Sequence, residues 1–164
     1  MPVDILVVNA SPLILLSKID QLSLLKAVGA RWQVPEAVLR EIRAKGPQDP
    51  VAKAVSAAAW LEIVVVDAIP NAVKAWDLDD GEASVVACAL ATKGALPLLD
   101  DRAGRNCARA LGLSVMGTAG LLLAARATGA IPAVAPVLRR LMAAGMYLSR
   151  PAQEEILKRA GEQP

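Results

Sequence analysis

Five oxygen-bearing side chains, Asn9, Glu41, Glu82, Asp100 and Asp101, stand out in an apolar chain of 164 residues. Two of them close the hydrophobic run LPLLDD, and Asn9 closes another, DILVVN. Carboxylate and amide oxygens suit a hard divalent cation such as magnesium, which keeps several of its waters when bound. Histidine is absent. Hydrolytic chemistry in this chain therefore has no imidazole base and depends on carboxylates and a metal.

These residues act together only if the fold gathers them. Apolar runs at residues 5–9, 32–34, 61–66, 96–100 and a short one at 114–116 predict strands. They are continuous rather than alternating, as in a parallel sheet covered on both faces. Helical patterns fill the intervals at 12–19, 22–28, 36–45, 51–60, 80–92, 102–111, 121–128, 133–143 and 151–159. Ser11 followed by Pro12 reads as a cap with proline at the first helical position. Gly112 reads as a left-handed residue ending its helix. Strand–helix alternation predicts one three-layer α/β/α domain over 1–164, with a mainly parallel sheet of four or five strands and a helical extension from about 130 to 164. In such sheets ligands gather at the carboxyl ends of the strands. Asn9 and the Asp100–Asp101 pair fall at such ends, while Glu41 and Glu82 border the apolar stripes of their helices.

Each acid also has a plainer reading. Asp79 spaced three before Glu82 can cap a helix by accepting from the Glu82 amide. Asp101 can cap the helix after it. Glu41 can pair with Lys45 at the four-residue spacing, and Asn9 can bond the next turn. Isolated buried carboxylates are costly, however, unless a partner or metal joins them.

Hydrophobic residues make up 55% of the chain, aromatics 2%, and Phe is absent, so the core must be Leu, Val, Ile and Ala. The apolar excess predicts an oligomer. The net charge of +2 neither demands nor excludes nucleic acid. Cys88 and Cys107 read as small core residues in a reducing compartment. The N-terminal run lacks a basic leader, and no uninterrupted apolar span reaches membrane length, which predicts a cytoplasmic protein with no membrane partner.

The segments VVNASPLILL, VPEAVLREI, LDDGEASVVACAL and LPLLDDRAGRNCARALGLSVMGTAGLL, in this order and spacing, resemble a prokaryotic PIN domain. The VapC-like branch is the most similar, with a Gly-Thr-x-Gly turn at Gly117–Gly120 and a C-terminal helical extension. The resemblance implies a magnesium- or manganese-dependent ribonuclease, often the toxin of a toxin–antitoxin pair. It implies acids at the positions of Asn9, Glu41, Glu82 and Asp101, with Asp100 beside the last. Asn9 stands where the family carries Asp, which removes a charge and implies weaker metal binding and slower cleavage. Hydrolysis would leave a 5′-phosphate and a 3′-hydroxyl.

On this reading Ser11 holds a water or the substrate phosphate, and Arg102, Arg105 and Arg109, recurring on one helix face, receive RNA phosphates. With few aromatics, recognition by shape and phosphate is expected over a stacking platform. The expected partners are RNA, a second copy of the chain and a cognate antitoxin. The main alternative is a PIN-like module that binds RNA or protein without cutting. A nucleotide-binding domain is a further one, although no GxxxxGK[ST] loop occurs and Gly117–Gly120 reads better as a bend packing a helix on the sheet. A metal-free assembly protein, suggested by the apolar excess, is the last.

Overall fold

The computed structural model describes residues 3–164. Its centre is a four-stranded parallel sheet built from β1 (Ile5–Val8), β2 (Arg31–Pro35), β3 (Leu61–Val64) and β4 (Ala95–Leu98), in the order β3-β2-β1-β4. Register pairs Leu6 with Trp32 and with Leu96, and Val34 with Ile63. All four residues of β1 are buried, as a central parallel strand covered on both faces requires. The chain moves outward from β1 through β2 to β3, then returns across β1 to lay down β4. Strand order thus reverses between β1 and β4, the kind of switch point at whose carboxyl end ligand crevices form in open parallel sheets.

The helices are α1 (Ala10–Lys18), α2 (Glu36–Arg43), α3 (Pro50–Ala57), α4 (Asn71–Lys74), α5 (Asp80–Ala91), α6 (Arg102–Ala110), α7 (Thr118–Ala127), α8 (Val134–Ala143) and α9 (Arg150–Arg159), with a 3-10 turn at Leu22–Ala27. They flank the sheet in a three-layer α/β/α arrangement. Helix α5 lies against β1, β2 and β4 and packs on α2, while α7 contacts the 3-10 turn, α8 and α9. Buried residues occupy every side of α5 from Gly81 to Ala89 except at Glu82, the pattern of a helix enclosed by protein. Leu6, Leu13, Leu16, Leu98, Leu121 and Leu141 are among the fully buried side chains, so the core is aliphatic, as its composition requires.

Several sequence expectations shift. The expected fifth strand at 114–116 is a single parallel bridge between Met116 and Leu98. Gly117 ends it at once, because helix α7 begins at Thr118. The run at 61–66 pairs only as far as Val64. The cap of α1 is Asn9, in extended conformation, and Ser11 stands inside the first turn instead of capping it. The short α4 was not expected; one turn after Pro70 is too brief to show a period. Gly112 adopts the left-handed conformation expected of it, with φ +83°. Cys88 and Cys107 are free and buried.

Candidate functional site

Asn9 follows β1 directly. Its backbone amide donates to the Leu98 carbonyl of β4 at 3.2 Å, which fixes it over the crevice between the two strands. Its side chain is 5% exposed and makes no capping bond to α1. Oδ1 is buried with no hydrogen-bond partner. A buried carbonyl oxygen left unpaired is rare and costs about 1–3 kcal/mol.

Glu41 projects from α2 toward the start of α5. A Cβ placed on Gly81 would lie 3.1 Å from Glu41 Oε2 and 3.5 Å from Asn9 Oδ1. Glycine at this buried position lets both oxygens approach the first turn of α5. Glu41 is not ion-paired with Lys45; among the described residues the ion pairs are Arg31–Glu62 and Arg150–Glu154. Burial of its carboxyl end, and then Asp79, push the Glu41 pKa upward.

Glu82 sits in the first turn of α5. Asp79 caps that helix by accepting from the Glu82 amide at 2.7 Å, so the capping reading and a place in the site coexist. The Glu82 carboxyl is pushed up to about 7, first by burial and then by the negative charges of Asp79, Asp101 and Glu41. Its carboxyl carbon lies near Gly104 of α6, 3.8 Å from where a Cβ would be.

The two acids after β4 have different occupations. Asp100 binds Thr118 with both oxygens, accepting from the amide at 2.7 Å and from the hydroxyl at 2.6 Å. It anchors the N-terminus of α7 to the end of β4. Asp101 caps α6, its Oδ2 accepting from Ala103 at 2.8 Å and Gly104 at 3.2 Å; the capping bonds leave Oδ1 uncommitted. Gly117–Gly120 therefore meets a carboxylate of this chain at its helix start, which favours the packing reading over a phosphate cradle.

Asn9, Ser11, Glu41, Glu82, Asp100, Asp101 and Arg105 line one cleft of about 1030 Å³. Arg105 turns back toward the N-terminus of α6, as helical side chains do, and donates to the Leu99 carbonyl at 3.2 Å. Its guanidinium lies over Gly117. Burial and Arg109 lower its pKa, partly offset by Asp100. Arg102 and Arg109 are exposed and outside the cleft lining, so the arginine stripe does not enter it as a unit. Asp79 was read from the sequence only as a cap; its influence on Glu41 and Glu82 arises from the approach of α2 to α5, which no local spacing reveals.

Among the described residues no three Asp, Glu or Cys side chains form a ready ligand cluster; the acids line the cleft from different elements. The donor set nevertheless fits a hard divalent cation. It is all oxygen, one of its members is an orphaned buried amide oxygen, and the repulsion by neighbouring acids that, after burial, raises Glu82 is what a cation would relieve.

The chain matches a protein family described as the PIN domain over residues 5–162. No curated protein matches it.

Proposed function

The chain belongs to the PIN-domain family, and we propose that it is a metal-dependent endoribonuclease of the VapC-like branch, acting as the toxin of a toxin–antitoxin pair. Nuclease-type function and use of a divalent metal ion are general to the family. The observation that carries the finer reading is the gathering of Asn9, Glu41, Glu82 and Asp101, from four separate elements, in one cleft at the strand-order reversal.

On this reading Asn9, Glu41, Glu82 and Asp101 hold magnesium or manganese. When bound, the ion makes water a nucleophile at neutral pH and offsets charge growing on the phosphate. Asp100, committed to Thr118, positions Asp101 and the start of α7 rather than acting as a ligand. Burial, and then Asp79, raise the proton affinity of Glu41 and Glu82; Glu82, pushed up to about 7, releases a proton as a cation enters near neutrality. Arg105, braced by the Leu99 carbonyl, offers its remaining N–H groups to a substrate phosphate, and Ser11 offers its hydroxyl nearby. Arg102 lies outside the cleft and serves only RNA that extends past it. Water adds to phosphorus and the 3′-oxygen leaves with a proton, giving a 5′-phosphate and a 3′-hydroxyl.

Residues 1–164 then form one domain, with the extension from about 130 to 164 supplying part of the cleft lining. Among the described residues no helix is long and apolar enough to cross a membrane. A cytoplasmic homodimer with a cognate antitoxin completes the reading; the exposed Ile63 and Val65, in and just past edge strand β3, favour a second copy. The second reading, an RNA- or protein-binding module without cleavage, is favoured by one observation, the uncharged Asn9 at the centre of the acids.

Incubation of the purified protein with single-stranded RNA and magnesium or manganese tests the proposal. Cleavage that stops with a chelator, and that Glu41→Gln and Asp101→Asn abolish, is expected. Activity surviving both substitutions belongs to a contaminant, and RNA binding without cleavage in either metal selects the second reading.

A further inference from the structure

The cleft does not end at the acids. Its lining also takes in Leu15, Leu123, Lys18, Arg159 and, from the turn between α8 and α9, Tyr147. Tyr147 is 88% exposed. It is the one aromatic residue of the cleft lining. Trp32 and Trp60 pack edge to face at 5.2 Å, and the Trp32 ring nitrogen donates to the carbonyls of Leu25 and Val28. The turn that carries Tyr147 is held on both sides. The Met146 amide donates to the Leu141 carbonyl at 3.0 Å, and the Gln153 side chain donates to the Leu148 carbonyl at 2.9 Å. An aromatic ring with no packing role is thus presented on a fixed backbone.

Lys18 and Arg159 take part in no ion pair among the described residues. The carboxylates of the cleft repel a polyanion, so an RNA strand that reaches them needs cations in the same lining. An aliphatic floor, one exposed ring and two unpaired cations match the parts of a nucleotide: base face, ring stack and phosphate.

We infer that this arm of the cleft is a nucleotide subsite, in which Tyr147 stacks on a base flanking the scissile phosphate and Lys18 and Arg159 receive neighbouring phosphates of single-stranded RNA. The inference rests on the RNA-cleaving reading of the acidic end, and it turns an expectation of recognition without stacking into recognition with one stacked base.

The test measures polarisation of a fluorescein-labelled single-stranded RNA of about ten nucleotides in calcium, then its cleavage in manganese, for the full chain and its variants. Tyr147→Ala is expected to weaken binding about tenfold, the effect of one lost stack, and to raise KM with kcat little changed. Tyr147→Trp is expected to retain the parental affinity. Lys18→Ala with Arg159→Ala is expected to flatten the log–log salt dependence of binding by about 1.4, the slope of two phosphate contacts on a single strand. These side chains are exposed, so melting temperatures serve as a folding control. A parent that binds the RNA but never cuts it defeats the nuclease reading and leaves the subsite standing if Tyr147→Ala weakens binding. A parent that cuts, with affinity and KM unmoved by Tyr147→Ala and the salt slope unmoved by the double substitution, overturns the subsite alone and leaves the arm to a protein partner. A parent that does not bind the RNA overturns both.

Discussion

Asn9 Oδ1 and Glu41 Oε2 flank one point in space, the place a methyl group would take on Gly81, at 3.5 and 3.1 Å. One oxygen comes from the end of β1 and the other from α2, and they meet at the first turn of α5. The helix N-terminus there favours negative charge, while burial and neighbouring acids oppose it. The balance leaves a strongly polar, underpaired corner in an aliphatic protein.

Asn9→Asp places a charge where the amide stands, and two opposite effects follow. Manganese affinity, measured by calorimetry, is expected to rise on the order of tenfold, since ligand charge sets affinity in oxygen-donor sites. Without metal the melting temperature is expected to fall, because a buried carboxylate joins others already in repulsion. Unchanged affinity contradicts Asn9 as a ligand.

Gly81→Ala separates the site from the fold. Alanine favours a helix over glycine by up to about 1 kcal/mol, and the neighbours of the new methyl are side-chain oxygens with room to move. Stability is expected to hold or rise while manganese affinity drops several-fold, as Glu41 is displaced. Equal affinity in the two proteins removes Glu41 and Asn9 from the site.

Glu82 gives the metal-free protein a pH signature. Its folded-state pKa is about 7, against about 4.3 in an unfolded chain. Between these values the native state holds a proton that the unfolded state has released, so stability falls as pH rises. The contribution is fully present below about pH 4.3 and is lost as pH passes through about 7. Thermal melts of the parent and Glu82→Gln across this window are expected to diverge, the variant showing the flatter curve. The slope stays below about 1.4 kcal/mol per pH unit, the limit for one group, because the two states differ by less than one proton at any pH; solvent screening of the half-buried Glu82 narrows the window over which it acts. Manganese binding near neutrality is expected to release protons in the parent and fewer in the variant.

Asp100 and Thr118 form a tether between β4 and α7. Asp100→Ala and Thr118→Ala are each expected to cost about 1–3 kcal/mol in denaturant unfolding, because each leaves a polar partner without its bond. The double variant is expected to cost much less than the two losses added. Additive losses show that the two residues do not act as a unit.

The strands were legible because parallel strands buried on both faces read as continuous apolar runs, and four of them appear within a few residues of their expected places. The run at 114–116 misled because three residues suffice for a bridge to Leu98 but not for a strand once Gly117 opens a helix. Within the acidic set, sequence spacing gave Asp79 and Asp101 their caps but could not divide the work of the Asp100–Asp101 pair. That division depends on Thr118, eighteen residues away, taking both oxygens of Asp100. Tyr147 carried no signal at all. Its place in the cleft follows from how α8 and α9 pack on α7, a long-range relationship invisible in local pattern.

Side chains from four elements are proposed to hold one cation, and anomalous diffraction from a manganese-soaked crystal would locate it. A peak is expected in the cleft within coordination distance of Asn9 Oδ1 and oxygens of Glu41, Glu82 and Asp101. A cleft without a peak at saturating manganese, or a peak held by residues elsewhere in the molecule, contradicts the proposal.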